Sequence, residues 1–501
     1  MTTLVTQKQT FEDLSGERLY AAAPKFYPKS INGTFRRIKW ALLCITLGIY
    51  YFLPFLRWDR APNEPSQAVL VDLAHRRFYF FFIEIWPQEV YYFTGLLILA
   101  AMTLFLMNAV AGRIWCGYLC PQTVWTDLFL TVERTIEGDR REWQKRDAGP
   151  WTADRIWRKT LKHFLWLMIA WWTGGAWVLY FSDAPNLVSD LVNFDAPAIA
   201  YISIGILTFT TYLLAGHMRE QVCLYMCPWP RIQAALTDEN ALNVTYRYDR
   251  GEPRISAKKA VALRAEGKAA GDCIDCGLCV AVCPTGVDIR DGANLGCIQC
   301  GLCIDACDNV MVKIGRPPRL IAYDTDVNIK RRLAGMDNFF RPIRMRTILY
   351  VAIIAVVGGT MITALATRID LGISAMHDRN PLFVKLADGS IRNGFVVHVT
   401  NKSSMARTFA LDVVPKIGSG IEDQAVEKRS KNMLNVTAVG IANDAESRPV
   451  VEVGPDQVRE LRVLVTMQPG KPRPTSKDLE FRLVDPASGK TAVARDHFLA
   501  P

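Results

Sequence analysis

Eight of the chain's thirteen cysteines lie between Cys273 and Cys307, in two runs of the form C-x2-C-x2-C-x3-C. No other feature narrows the fold so far. Three thiols at this spacing wrap one side of an iron–sulfur cube, and in two-cluster ferredoxins the last cysteine of each run ligates the other cluster. The spacing predicts one 4Fe–4S cluster on Cys273, Cys276, Cys279 and Cys307. The second falls to Cys297, Cys300, Cys303 and Cys283. Zinc is the competing occupant, but zinc ribbons use two C-x2-C pairs a longer span apart. Disulfides suit small secreted scaffolds, not bunched thiols in a chain of 501 residues. Gly277 and Gly301 sit between the second and third ligands, where they permit backbone conformations that other residues resist. Pro284 follows the first run, whereas Asp308 stands in the matching place after the second. Its charge there would lower a cluster's potential.

The length suggests about three domains, and 50% of the residues are hydrophobic. Five apolar stretches are long enough for a bilayer, which takes roughly 17–25 residues: about Trp40–Leu56, Val90–Ala111, Phe164–Phe181, Ala198–Ala215 and Thr347–Thr367. "RRFYFFFIEIW" is too short and contains Glu84, so it reads as an interfacial aromatic segment. No apolar core of signal-peptide length precedes residue 40. Lys and Arg number seven in 1–39, four in 57–89, ten in 112–163, none in 182–197 and nineteen in 216–346. Basic loops stay cytoplasmic, so 1–39, 112–163 and the cysteine-rich loop are expected inside. The tail after Arg368 is expected outside, in a periplasm if the bacterium is Gram-negative. This distribution also accounts for the net charge of +10, which leaves nucleic-acid binding without support.

From residue 370 to 501 the pattern changes to alternating β-rich runs such as "NGFVVHVTN", "RTFALDVV" and "VRELRVLVTM". About seven such runs with turn residues between them predict an immunoglobulin-like sandwich. The expected fold is therefore mixed: a transmembrane α-helical bundle of about five helices, a cytoplasmic ferredoxin-like domain with two 4Fe–4S clusters, and a C-terminal all-β sandwich. The implied divisions are an N-terminal segment 1–39, a four-helix membrane domain 40–217, a cytoplasmic loop 218–346 with the ferredoxin domain at about 263–315, a fifth helix 347–367 and the outer domain 370–501.

Two further cysteine pairs stand at matching places, Cys116 and Cys120 in "GRIWCGYLCPQTVW" and Cys223 and Cys227 in "REQVCLYMCPWPRI". Both are C-x3-C-P just past an apolar stretch. If the backbone there is helical, i and i+4 put both thiols of a pair on one face. Two such faces could gather four thiolates at the membrane surface. Soft thiolate and thioether ligands suit Cu(I), and Met226 lies inside the second motif. Dithiol–disulfide cycling and plain packing at a helix end remain the alternatives, and Cys44 reads as packing. Only His163 and His217 lie near membrane segments, both at cytoplasmic ends, so a transmembrane haem relay is not expected.

The chain resembles the cytochrome c oxidase accessory proteins of the CcoG/FixG type, also called RdxA. The resemblance rests on "RRFYFFFIEIWPQE", "GRIWCGYLCPQTVWTDLF", "VERTIEGDR", "GHMREQVCLYMCPWPRIQ", "YDRGEP", the paired ferredoxin runs and the β-rich tail. It implies a multi-pass iron–sulfur protein of the bacterial inner membrane that reduces Cu(II) to Cu(I) during assembly of a cbb3-type oxidase. On that reading its partners are membrane lipid, copper ions, a cytoplasmic electron donor, and the oxidase's subunits or assembly factors. Cys116, Cys120, Cys223 and Cys227 would be the copper-handling or redox thiols. A non-catalytic scaffold and an electron-transfer subunit of another respiratory reductase are the other two classes.

Overall fold

A chain in lipid must satisfy its own backbone hydrogen bonds, so apolar segments of this length are held to helices. The computed structural model describes residues 25–60, 64–368, 370–403, 405–415, 434–444, 448–455, 457–468 and 476–500. Most of the basic segment expected over 1–39 lies outside them. The chain divides into two compact units that change over near residue 361.

Among the described residues, four helices are long and apolar enough to cross a membrane: Thr34–Phe55, Tyr91–Ala111, Ala198–Met218 and Met345–Ala366. The remaining expected stretch lies within Ala153–Val178, a continuous helix of 26 residues. At 1.5 Å per residue it is about 39 Å long. Its mean hydropathy is diluted mainly by the charged residues of its first half, Asp154, Arg155, Arg158, Lys159 and Lys162. Ile45, Ile49, Leu97, Ile202, Ile206 and Val356 are exposed on these helices, as lipid-facing side chains should be. The "RRFYFFFIEIW" segment, expected at the interface, folds as strand rather than helix. Arg77–Phe80 and Ile83–Ile85 pair with each other, and Val69–Asp72 completes a three-stranded antiparallel sheet. Its alternation is masked because aromatics occupy both faces.

The cysteine-rich segment folds between the strands Asn243–Tyr246 and Ile321–Asp324, which pair antiparallel. Gly277 and Gly301 have φ of +67° and +74°, and each starts the helix that carries its run's third cysteine, Leu278–Ala281 and Leu302–Lys313. A β-carbon is disfavoured at that φ. Ile304, Met311, Leu320 and Ile321 form the buried core beside the thiols. Asp305, inside the second run, caps the first membrane helix. Its carboxylate accepts from the Phe35 N–H (3.2 Å) and the Arg36 N–H (2.8 Å). Arg36 in turn donates to both carboxylate oxygens of buried Asp127 at 2.8 Å, and Lys39 lies 3.8 Å from the same group. The ferredoxin segment and the membrane helices are thus joined by buried polar contacts.

The second unit is a β-sandwich. One sheet runs Leu434–Ala438, Gln457–Met467, Ile391–Asn401, Leu371–His377, with the short Val384–Lys385 added on Ile391–Asn401. The other runs Val450–Val453, Arg407–Pro415, Ser476–Val484, Thr491–Leu499. Phe395 and Phe481 meet edge to face between the sheets, with ring centres 5.0 Å apart. Two of these strands, "LGISAMH" and "TAVARDHFL", were not among the runs read from sequence. Gly, Ser and charged residues blur their alternation.

Candidate functional site

The twelve cysteines of the four motifs line three cavities in the first unit. Cys273, Cys276, Cys279 and Cys307 surround one, with Tyr246 and Arg290. Cys283, Cys297, Cys300 and Cys303 surround a second, which Cys279 also touches. Cys276 is exposed, whereas Cys273, Cys279 and Cys300 are buried. Burial pushes the Cys297 and Cys307 thiols up to about 12 and Cys279 up to about 11, with neighbouring thiols adding to the first two. Bare, these sites would hold protons. A bound cationic centre reverses that preference by stabilising thiolates. The Val287 N–H donates to Cys283 Sγ at 3.4 Å, the kind of amide contact that supports a cluster ligand. Two sets of four soft donors, each lining its own cavity, suit 4Fe–4S clusters. Asp308, in the helix Leu302–Lys313, is engaged by the Arg319 N–H at 2.6 Å and its guanidinium at 3.4 Å.

The C-x3-C-P pairs do not lie on continuous α-helix. Cys116 is in the short helix Ile114–Tyr118, and Cys120 is extended just before the helix Pro121–Glu137. Cys223 is in a π-helical turn, Val222–Met226, and Cys227 is again extended. A residue before proline is pushed out of the α region, so each Cys-Pro step turns the chain and breaks the i, i+4 face. Tertiary packing gathers the thiols instead. Cys116, Cys120, Cys223 and Cys227 all line a third cavity of about 200 Å³. Cys297 and Ile298 of the second ferredoxin run line it too. Met226 is exposed and does not belong to its walls.

Gln122 links the two motifs. Its Nε2 donates to the carbonyls of Leu214 (2.8 Å) and Arg219 (3.2 Å). Arg219 also pairs with Glu133 at 2.6 Å, and Lys162 with Glu133 and Glu137 at 3.0 and 2.9 Å. Burial, with the neighbouring cysteines, pushes Cys116 and Cys223 up to about 12. Cys116 Sγ donates to Gln233 Oε1 at 3.3 Å. Sequence reading missed Gly117, Arg113, Gln122 and Gln233. An Arg beside a membrane segment reads first as positive-inside charge, and nothing local marks a glutamine as a bridge. His163 and His217, read as interfacial, stack with ring centres 5.7 Å apart.

The chain matches family models for a 4Fe-4S dicluster domain over residues 218–326, a 4Fe-4S binding domain over 93–135, and the Ig-like fold at the C-terminus of FixG over 361–501. It is 46% identical to the nitrogen fixation protein FixG of Rhizobium meliloti, across 96% of this chain and 94% of that one. It is 52% identical to the protein RdxA of Cereibacter sphaeroides, across 79% and 84%, and 50% identical to RdxB of the same organism, across 81% and 85%. Among solved structures, a FixG-related protein from Vibrio parahaemolyticus aligns with 26% of this chain and 97% of its own, at 20% identity and a TM-score of 0.20.

Proposed function

The chain belongs to the FixG/RdxA family of membrane iron–sulfur electron-transfer proteins, and from that premise we propose that it reduces Cu(II) to Cu(I) for the copper centre of a cbb3-type cytochrome c oxidase. One observation carries this reading: the four C-x3-C-P thiols meet at a cavity that shares Cys297 and Ile298 with the second ferredoxin-type cavity. In the proposed assignment, Cys273, Cys276, Cys279 and Cys307 hold one cluster, and Cys283, Cys297, Cys300 and Cys303 the other. When bound, such clusters supply single electrons at potentials that reach several hundred millivolts below zero.

The chain's own residues do the rest. Buried thiols and backbone amides fix the donor set and exclude water, and the exposed Cys276 edge offers the approach for a cytoplasmic reductant. Cys116, Cys120, Cys223 and Cys227 form the proposed copper site. Soft thiolates favour Cu(I) over Cu(II), and the cavity has room for an ion with part of its water shell. Each Cu(II) takes one electron and becomes Cu(I), and the donor loses one. The basic flanks of these motifs support a site on the cytoplasmic side of an inner membrane. The C-terminal sandwich is then periplasmic, where it would meet oxidase subunits or assembly factors.

The test is anaerobic. The holoprotein is reduced, freed of excess reductant and mixed with Cu(II), while EPR follows the clusters and a Cu(I) chelator follows the product. Equal amounts of electrons lost and Cu(I) formed are expected. Clusters that stay reduced would reject copper as the acceptor and favour an assembly scaffold or another electron acceptor.

A further inference from the structure

Arg113 stands where the three motifs meet. It lies three residues before Cys116, and only 7% of its surface is exposed. Its Nη1 donates to the Leu295 carbonyl (2.5 Å) and, at longer range, to the Cys297 carbonyl (3.4 Å). Its Nη2 donates to the carbonyl of Pro230 (2.8 Å), which follows the second C-x3-C-P. Its backbone N–H donates to Gln299 Oε1 (2.7 Å), between two cysteines of the second run. Arg113, Leu295, Cys297 and Pro230 all line the four-thiol cavity. The fork of the guanidinium therefore pins the segment separating that cavity from the second ferredoxin-type cavity. These acceptors are neutral oxygens, so no carboxylate among them cancels the charge. A fixed positive charge in a site shielded from water acts strongly on a neighbour. It favours the more negative, reduced state of whatever Cys297 helps to hold.

We propose that Arg113 is the positioning residue of the electron exit: it fixes the Cys297 segment against the four-thiol cavity and raises the potential of the cluster on that side alone. The inference rests on the cluster assignment proposed above. It also gives the relay a direction, because the Cys276 side is exposed while the Cys297 side faces the four-thiol cavity.

The experiment is an EPR-monitored redox titration of the holoprotein carrying Arg113→Gln or Arg113→Lys, with a Cys276→Ser variant identifying the signal of the first cluster. Arg113→Gln is expected to lower the reduced-to-oxidised ratio of the second cluster at least threefold at a fixed potential. That is about 30 mV downward on a one-electron scale of 59 mV per tenfold. The first cluster should not move. Arg113→Lys keeps the charge and loses the fork, so the potential should hold while alkylation of Cys116, read by peptide mass, speeds up at least threefold. Equal shifts in both clusters, or none in either, overturn the proposal. So does an Arg113→Lys protein with wild-type alkylation, which decides the matter if Arg113→Gln fails to accumulate. Failure of the wild type to reduce Cu(II) would sink the copper reading, while the selective shift in potential would still stand.

Discussion

Gly117, the residue after Cys116, packs directly on the backbone of the second ferredoxin run. A β-carbon there would lie 2.8 Å from the Ile298 carbonyl oxygen, 3.0 Å from Cys300 Cα and 3.0 Å from the Gln299 oxygen. Comfortable carbon contacts lie at about 3.5–4.0 Å, so Gly117→Ala forces an overlap of at least half an ångström. The opposing atoms are main chain and cannot rotate away. Overpacking of this kind costs about 1–3 kcal/mol, and rigid neighbours put it in the upper half of that range. Helix propensity returns about 1 kcal/mol for Gly to Ala, which leaves a net loss of about 1–2 kcal/mol. For a domain of about 100 residues, each kcal/mol moves Tm by about 4–8 °C. The assay is thermal bleaching of iron–sulfur absorbance in anaerobic holoprotein, with EPR at low temperature. The variant should bleach earlier, with the signal of the Cys283/Cys297/Cys300/Cys303 set altered and the other set unchanged. Gly48→Ala, with nothing within 4 Å of its β-carbon and inside the helix Thr34–Phe52, is the control and should bleach at or above the wild-type temperature. A Gly117→Ala protein that bleaches at the wild-type temperature would refute the close approach.

Serine at Cys116, Cys120, Cys223 or Cys227 should abolish Cu(I) formation while iron content stays at that of two clusters. A fall in iron would show that these thiols hold iron instead. Asp127→Asn strips the carboxylate from Arg36 and Lys39, both buried, and breaking such a pair should cost about 3–5 kcal/mol in a denaturant titration. Burial pushes the Asp127 carboxyl up, but Lys39 and Arg36 outweigh it and hold it below its usual value. Its contribution is therefore present above the unfolded carboxyl value near pH 4 and is lost as pH falls through the lower folded value. Asn393→Ala should destabilise the sandwich by about 2–6 kcal/mol, read as a lower unfolding midpoint of its β-sheet signal. The side chain clips the last strand through the Leu499 N–H and carbonyl, both at 2.9 Å, and orphaning each costs about 1–3 kcal/mol.

The iron–sulfur character of the chain was legible because ligand spacing is a local property: three thiols on one short loop carry their geometry with them. Helix positions were legible for the same kind of reason, since lipid admits few alternatives to a run of apolar residues. Ala153–Val178 shows where that reading thins, because charged residues in its first half lower hydropathy without preventing a long helix. The sandwich was readable from its strongest alternating strands and not from "LGISAMH" or "TAVARDHFL", which take their place by pairing with neighbours.

The C-x3-C-P motifs mark the boundary. Their repetition in the sequence identified four thiols of interest and suggested that they gather. The mechanism inferred from periodicity did not hold, because the Cys-Pro steps turn the chain out of the helix. Which residues complete the site was settled only in three dimensions. Arg113, Gln122 and Gln233 act across separations of about a hundred residues or more, and Met226 drops out despite its position in the motif. Spacing along a chain determines what one loop can hold. Which loops share a wall depends on packing between segments far apart in sequence, and no local pattern encodes that.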